Sequence, residues 1–194
     1  RFAQPAVDCF TGSQGARQAT MHGSTASAAL ANGLLTFAES RGSARSSVLE
    51  AARLSEAALA DPDARIGLSD YRALVHAAQR LCADPGLALE WGAAVDMAEV
   101  SIIGLIMNAS RTMGEAFAQM QRFSELAVDV ETKPGGSRFV LHSRADGLWM
   151  VDTRPDPDAF PELTEIAFAR LVCGPRRFLD QSHVLAVHVT HERP

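Results

Sequence analysis

The chain changes its hydrophobic period at Leu126, and that change limits its fold more than any other feature. Before it, apolar residues recur every three or four positions, as the buried stripe of an α-helix requires. After it they alternate with polar residues over short runs, as along one face of a strand. Helices gathered first and strands afterwards do not fit the alternating βαβ pattern of a parallel sheet. The order predicts an α+β fold: a helical N-terminal half packed on a small antiparallel sheet, with one further long helix.

The helical signals follow one another closely. The segment 25–40, TASAALANGLLTFAES, sets Leu30, Leu34, Phe37 and Ala38 on one face and ends before Gly42, a residue suited to closing a helix. Ser47 with Glu50 has the spacing of a capping box in front of a short helix through Arg53, and Ser55 is placed to cap the next short piece. Ser69 is expected to open a helix carrying Tyr71, Leu74, Val75, Ala78, Leu81 and Cys82 at helical spacing, and another helix follows Pro85 to about Val95. SIIGLIMNA, 101–109, is apolar on every side, as in a buried helix. Thr112 and Glu115 form a second capping box. The helix they open places Met113, Ala116, Phe117, Met120, Phe123 and Ala127 opposite Glu115, Gln119, Arg122 and Glu125.

The strands come next. AVDVET and SRFVLHS, joined through Pro134-Gly135-Gly136, have the pattern of a hairpin, and GLWMVD that of a third strand. Pro161, at a first-turn position, opens a helix that buries Leu163, Ile166, Ala167, the stem of Arg170 and Leu171, and Gly174-Pro175 interrupts it. VLAVHVTH is expected as a fourth strand. The first residues lack periodicity, so 1–24 is assigned as a disordered or vector-derived leader, with Met21 a fitting natural start. Residues 25–194 are assigned as one domain.

Charge and cysteine content remove several functions. The net charge is -5, the 18 basic residues form no run, and Lys133 is the one lysine, which is poor material for neutralising a phosphate backbone. Cys9, Cys82 and Cys173 are odd in number and widely spaced, giving neither a disulfide framework nor a zinc site and fitting a reducing cytoplasm. No apolar run approaches the roughly 18 residues of a membrane helix, so no membrane partner is expected.

Catalytic motifs are missing. His183, His188 and His191 suggest a metal cluster by proximity alone, but alternation along a strand turns successive pairs to opposite sides. His76 falls on the polar flank of its helix. There is no HExxH, no GxSxG, no cysteine with an evident histidine partner and no phosphate-binding glycine loop. Asp156 and Asp158 sit among prolines and suit a turn. No catalytic residue, metal or cofactor is assigned. What stands out is the methionine face from Met107 to Met120, since methionine fills irregular cores and lines adaptable pockets equally well. Composition leaves both roles open.

The segments NGLLTFAESRG, VLEAARLSEAALADPDARIGLSDYRALVHAAQRLCADPGLALEWGAAV, IIGLIMNASRTMGEAF and FPELTEIAFARLV, in that order and closed by HERP, resemble the N-terminal effector domain of AraC-type transcriptional regulators, in the arabinose-binding-domain-like branch. The resemblance runs from about Thr25 to Pro194. It implies a cytoplasmic, non-enzymatic sensor that binds a small metabolite, pairs as a homodimer and reaches DNA only through a C-terminal helix-turn-helix domain beyond Pro194. It carries no fixed effector contacts and does not make arabinose the ligand. The layout also resembles haem-based nitric-oxide sensors, but their Tyr-x-Ser-x-Arg motif is absent, Tyr71 being followed by Arg72 and Ala73. A ligand-independent dimerisation module and a small enzyme are the alternatives.

On this resemblance, the helix after Thr112 packs on the sheet and on the helix bearing Phe168, and part of that interface opens into an effector cavity. Met107, Met113, Phe117 and Met120 are its candidate lining, with Trp91, Trp149 and Phe168 as further walls. Arg111, Arg138 and Arg170 are candidate partners for a carboxylate, which arginine grips through two parallel hydrogen bonds.

Overall fold

The computed structural model describes residues 23–132, 136–179 and 183–192. Nearly all of the assigned leader lies outside these residues, as do Cys9 and the Pro134-Gly135 part of the expected turn. The fold is α+β, with two small antiparallel sheets where one was expected.

Strand β1 (Thr25–Ser27) leads directly into α1 (Ala28–Ser40). The helix therefore starts three residues later than its composition suggests, because the Ser27 hydroxyl accepts the Leu30 amide and ends the extended backbone there. Leu30, Leu34 and Ala38 are buried as expected, and Phe37 is half-buried under the guanidinium of Arg41. In α2 (Arg45–Ala52), Ser47 is not the cap. The Ala44 carbonyl already accepts the Ser47 and Val48 amides, so winding begins earlier, and Arg53 closes the helix in the left-handed region. Ser55 does cap the following single turn, Glu56–Leu59, by accepting the Ala58 amide.

A second short strand, β2 (Arg65–Gly67), pairs with β1 and sets Ile66 opposite Ala26. It feeds α3 (Leu68–Leu81), whose first amide donates to the Ser24 carbonyl, so Ser69 lies inside the helix and does not cap it. Tyr71, Leu74, Val75 and Ala78 are buried, whereas Leu81 at the helix end is exposed. Then come α4 (Leu87–Ala94), α5 (Met97–Val100), α6 (Ile102–Asn108) and α7 (Met113–Phe123).

Helix α6 is not buried all round. Ile103 and Gly104 point inward, while Ile102 and Leu105 are 56% and 52% exposed. Neighbours α5 and α7 cover one side of it and leave the opposite side to solvent.

The hairpin expected between 127–132 and 137–143 does not form. Strand β3 (Val128–Asp129) pairs with β1, Val128 opposite Ala26, giving the order β2-β1-β3. Strands β4 (Phe139–Arg144) and β5 (Gly147–Asp152) make the actual hairpin, with Phe139 opposite Asp152 and Arg144 opposite Gly147. Alternation identifies a strand and its buried face but not its partner. VLAVHVTH likewise forms no strand, and Leu185 within it is almost fully exposed.

Helix α8 (Pro161–Cys173) crosses α4 at very short range. A β-carbon on Gly92 would lie 2.5 Å from the Ile166 carbonyl oxygen, so only glycine permits this approach. The crossing seals a large core around Leu34, Tyr71, Leu74, Trp91 and Ile166. A smaller cluster gathers Met120, Phe139, Ala167 and Leu171, with Met107, Phe117, Met150 and Phe168 against it. Among the described residues, no helix is long and apolar enough to cross a membrane.

Candidate functional site

Residues of both clusters line a cavity of about 390 Å³. Ile103, Ala127 and Val128 face it from the large core, Met120, Phe139 and Leu171 from the small one. Its size falls within the roughly 300–1,000 Å³ of small-molecule sites.

Helix α7 forms one wall and is fixed at its start by side-chain caps. The Thr112 hydroxyl accepts the Glu115 amide at 3.1 Å, and the Glu115 carboxylate accepts the Arg111 amide at 2.9 Å, one residue earlier than the expected box. Helices α5 and α6 form the opposite rim. A β-carbon on Gly104 would fall 2.1 Å from the Met97 carbonyl carbon, so α6 rests directly on the backbone of α5.

Buried charge surrounds the floor. Arg138 donates to Asp152 Oδ2 through Nε at 3.2 Å and Nη2 at 3.1 Å, and Arg154 Nε donates to the same oxygen at 3.0 Å. These three side chains are 4–6% exposed, so two guanidiniums share one carboxylate away from water. Arg138 also donates to the Leu163 carbonyl, and Arg154 to Thr164 and the Phe160 carbonyl. Burial pushes Arg138 down to about 10, against the opposing pull of Asp152.

Arg170 reaches the cavity from α8. Its Nη1 donates to the Met97 sulfur at 3.1 Å, and no carboxylate pairs with it among the described residues. Burial lowers its affinity for the proton, and the Tyr71 hydroxyl opposes this. That hydroxyl is itself wholly buried without a hydrogen-bond partner, and burial raises its pKa despite the fields of Arg170 and Arg138.

Of the residues singled out in the sequence, Met107, Met113, Met120, Arg111, Arg138 and Arg170 line this one cavity. The other four stand elsewhere. Phe117 and Phe168 pack in the small cluster, Phe168 edge-on to Phe139, and Trp91 is buried in the large core beside Gly33. Trp149 lies on β5, donating to Asp146 and packing on His188 and Arg144. Sequence reasoning missed Asp96 and Arg177, an ion pair at 2.8 Å on the rim, because 80 positions of sequence separate the partners.

The histidines bond to separate partners. His183 contacts the Leu171 carbonyl, His191 pairs with Glu165 at 3.3 Å and His76 with Glu162 at 3.1 Å, the last two pairs beside a wider cleft of about 720 Å³. Among the described residues, no three His, Cys, Asp or Glu side chains are arranged to hold a metal ion.

Comparison with known proteins agrees with the resemblance seen in the sequence. An ornithine utilization regulator from Pseudomonas aeruginosa is 31% identical over 88 residues, which is 45% of this chain and 26% of the relative. The chain thus matches about a quarter of that curated relative's length. Residues 42–194 match the family described as the arabinose-binding domain of AraC transcription regulators, N-terminal, and take in α2 through α8 and the whole cavity wall. The chain belongs to this family of regulator N-terminal domains.

Proposed function

We propose that this chain is the ligand-sensing part of a transcription regulator, and that its effector is a small metabolite held in the cavity between α5, α6, α7 and α8. The observation that carries this reading is the cavity itself: methionine and aliphatic walls, with several charged groups among them, on a domain of a regulator family. The sensor acts on DNA through a helix-turn-helix domain of the full-length protein, in the cytoplasm. The chain's few dispersed basic residues give it little affinity of its own for nucleic acid.

Helix α6 supports a route for the signal. Met107 and Gly104 face the cavity, while Ile102 and Leu105 face solvent on the same two turns. An effector that binds one position of α6 more tightly shifts the balance of positions, and with it an apolar surface suited to a second copy of the chain.

A thermal-shift panel tests the sensor reading. It contains organic acids, amino acids, amines, aromatic compounds and, because the Pseudomonas relative is named for ornithine utilization, ornithine. A ligand at 100 times its Kd adds about 2.7 kcal/mol, or roughly 5–10 °C in a domain of this size. Ala116→Phe, which fills the cavity from α7, is expected to abolish the response while the protein stays folded. An undiminished response in that variant would place binding elsewhere.

A further inference from the structure

Within the cavity proposed above as the effector site, the balance of charge points to one class of ligand. We propose that the effector is a small organic carboxylate with an apolar body, its carboxylate bound by Arg170 and its body lying against Met107, Met113 and Met120.

The chain as a whole carries a net charge of -5, yet its cavity is lined by Arg111, Arg138, Arg170 and Arg177 against a single acid, Asp96. Asp96 is taken by Arg177 at 2.8 Å, and Arg138 by Asp152. Arg170 is different. A guanidinium has five N–H donors, and among the described residues the one hydrogen bond made by this group goes to a thioether sulfur, among the weakest acceptors a protein offers. Arg170 lines the cavity, and its remaining donors have no acceptor among the described residues.

A buried guanidinium stays charged and costs free energy to desolvate unless an anion compensates it. Nothing protein-borne does so here among the described residues. The adjoining Asp152 already serves Arg138 and Arg154, and the Tyr71 hydroxyl beside the cluster lacks an acceptor as well. A ligand carboxylate supplies the missing charge and accepts two parallel N–H bonds. Phosphate esters fit less well, because a dianion costs more to strip of water against walls that are mostly apolar.

The remaining space sets the body. At about 30 Å³ per water-sized group, 390 Å³ admits on the order of a dozen non-hydrogen atoms. The flexible methionines accept straight chains and rings alike.

Isothermal titration on the whole chain separates the charge from the cavity. The probes are 3-phenylpropionate, octanoate, the neutral 3-phenylpropionamide and the cationic 3-phenylpropylamine. The acids are expected to bind at least about tenfold more tightly than the amide, with no binding by the amine. Arg170→Met is expected to bind acid and amide equally, and Arg170→Lys to keep part of the preference. Equal affinity of acid and amide in the unaltered protein would overturn the carboxylate proposal and leave the cavity standing, whether or not the variants fold. Acid preference that survives Arg170→Met would do the same. Acid binding that persists in Ala116→Phe would overturn both. Failure of both acids to bind at millimolar concentration would overturn the carboxylate proposal.

Discussion

Arg170 on α8 donates a hydrogen bond to the sulfur of Met97 on α5 at 3.1 Å, and both residues line the cavity bordered by the two apolar clusters. Met97 in turn supports α6, because its carbonyl occupies the space that a side chain on Gly104 would need. One cation, one thioether and one glycine thus connect α8 to the α6 surface where Ile102 and Leu105 are exposed. A ligand that draws Arg170 away from Met97 acts on this chain of contacts first.

Removing the buried cation is expected to stabilise the ligand-free protein. Arg170→Met loses a weak bond to sulfur and gains an apolar side chain in a buried setting, with an increase of about 1 kcal/mol. Urea unfolding should show a higher midpoint at unchanged slope. A lower midpoint would mean that the contact to Met97 outweighs the cost of the desolvated charge.

Asp152 has the opposite importance. Asp152→Asn leaves Arg138 and Arg154 buried without their shared counter-charge, and a loss of about 3–5 kcal/mol is expected by the same unfolding measurement. A loss below about 1 kcal/mol would show that the carbonyls of Leu163 and Phe160 and the Thr164 hydroxyl suffice to hold both guanidiniums.

Two glycines in helices should respond in contrary ways. Gly92→Ala drives a methyl group against the Ile166 backbone and is expected to cost about 1–3 kcal/mol or more by forcing α4 and α8 apart. Gly114→Ala meets nothing nearer than the Thr112 hydroxyl at 4.0 Å, and is expected to be neutral or to stabilise by up to about 1 kcal/mol through helix propensity. Similar melting temperatures for the two variants would contradict the close α4–α8 crossing.

Glu165 gives the stability a pH dependence. The residue is 8% exposed, and burial raises its pKa above the ordinary carboxylate value, with the neighbouring Glu162 in support and His191 opposing. The folded state therefore holds a proton that the unfolded chain has released, and stability from this group falls as pH rises from about the ordinary value through the raised one. Glu165→Gln should flatten that decline in urea midpoints measured from mildly acidic pH to neutrality. Parallel curves for the two proteins would exclude Glu165 as the source.

Much of the helical half is legible in the sequence because a helix advertises itself locally. Leu30, Leu34 and Ala38, or Tyr71, Leu74 and Val75, show the period and are buried accordingly. Strands of three residues, Thr25–Ser27 and Arg65–Gly67, are too short to show alternation, and they displaced the starts of α1 and α3. The partner of β3 was equally hidden, since alternation carries no address. At the cavity the sequence indicates residue types but not their company. Met120 and Arg170 are picked out by spacing and chemistry, yet that Arg138 is paired while Arg170 has no carboxylate partner among the described residues depends on Asp152, a tertiary neighbour that spacing does not reveal.

The most direct measurement is a two-dimensional spectrum of the methionine methyl groups, labelled with ¹³C, as 3-phenylpropionate is added. Of the six methionines, Met97, Met107, Met113 and Met120 line the cavity and Met150 packs outside it in the small cluster, while Met21 lies outside the described residues. Binding in the cavity predicts saturable shifts of its four methyl groups with Met150 nearly unmoved. Shifts centred on Met150, or none at all at millimolar ligand, would contradict it.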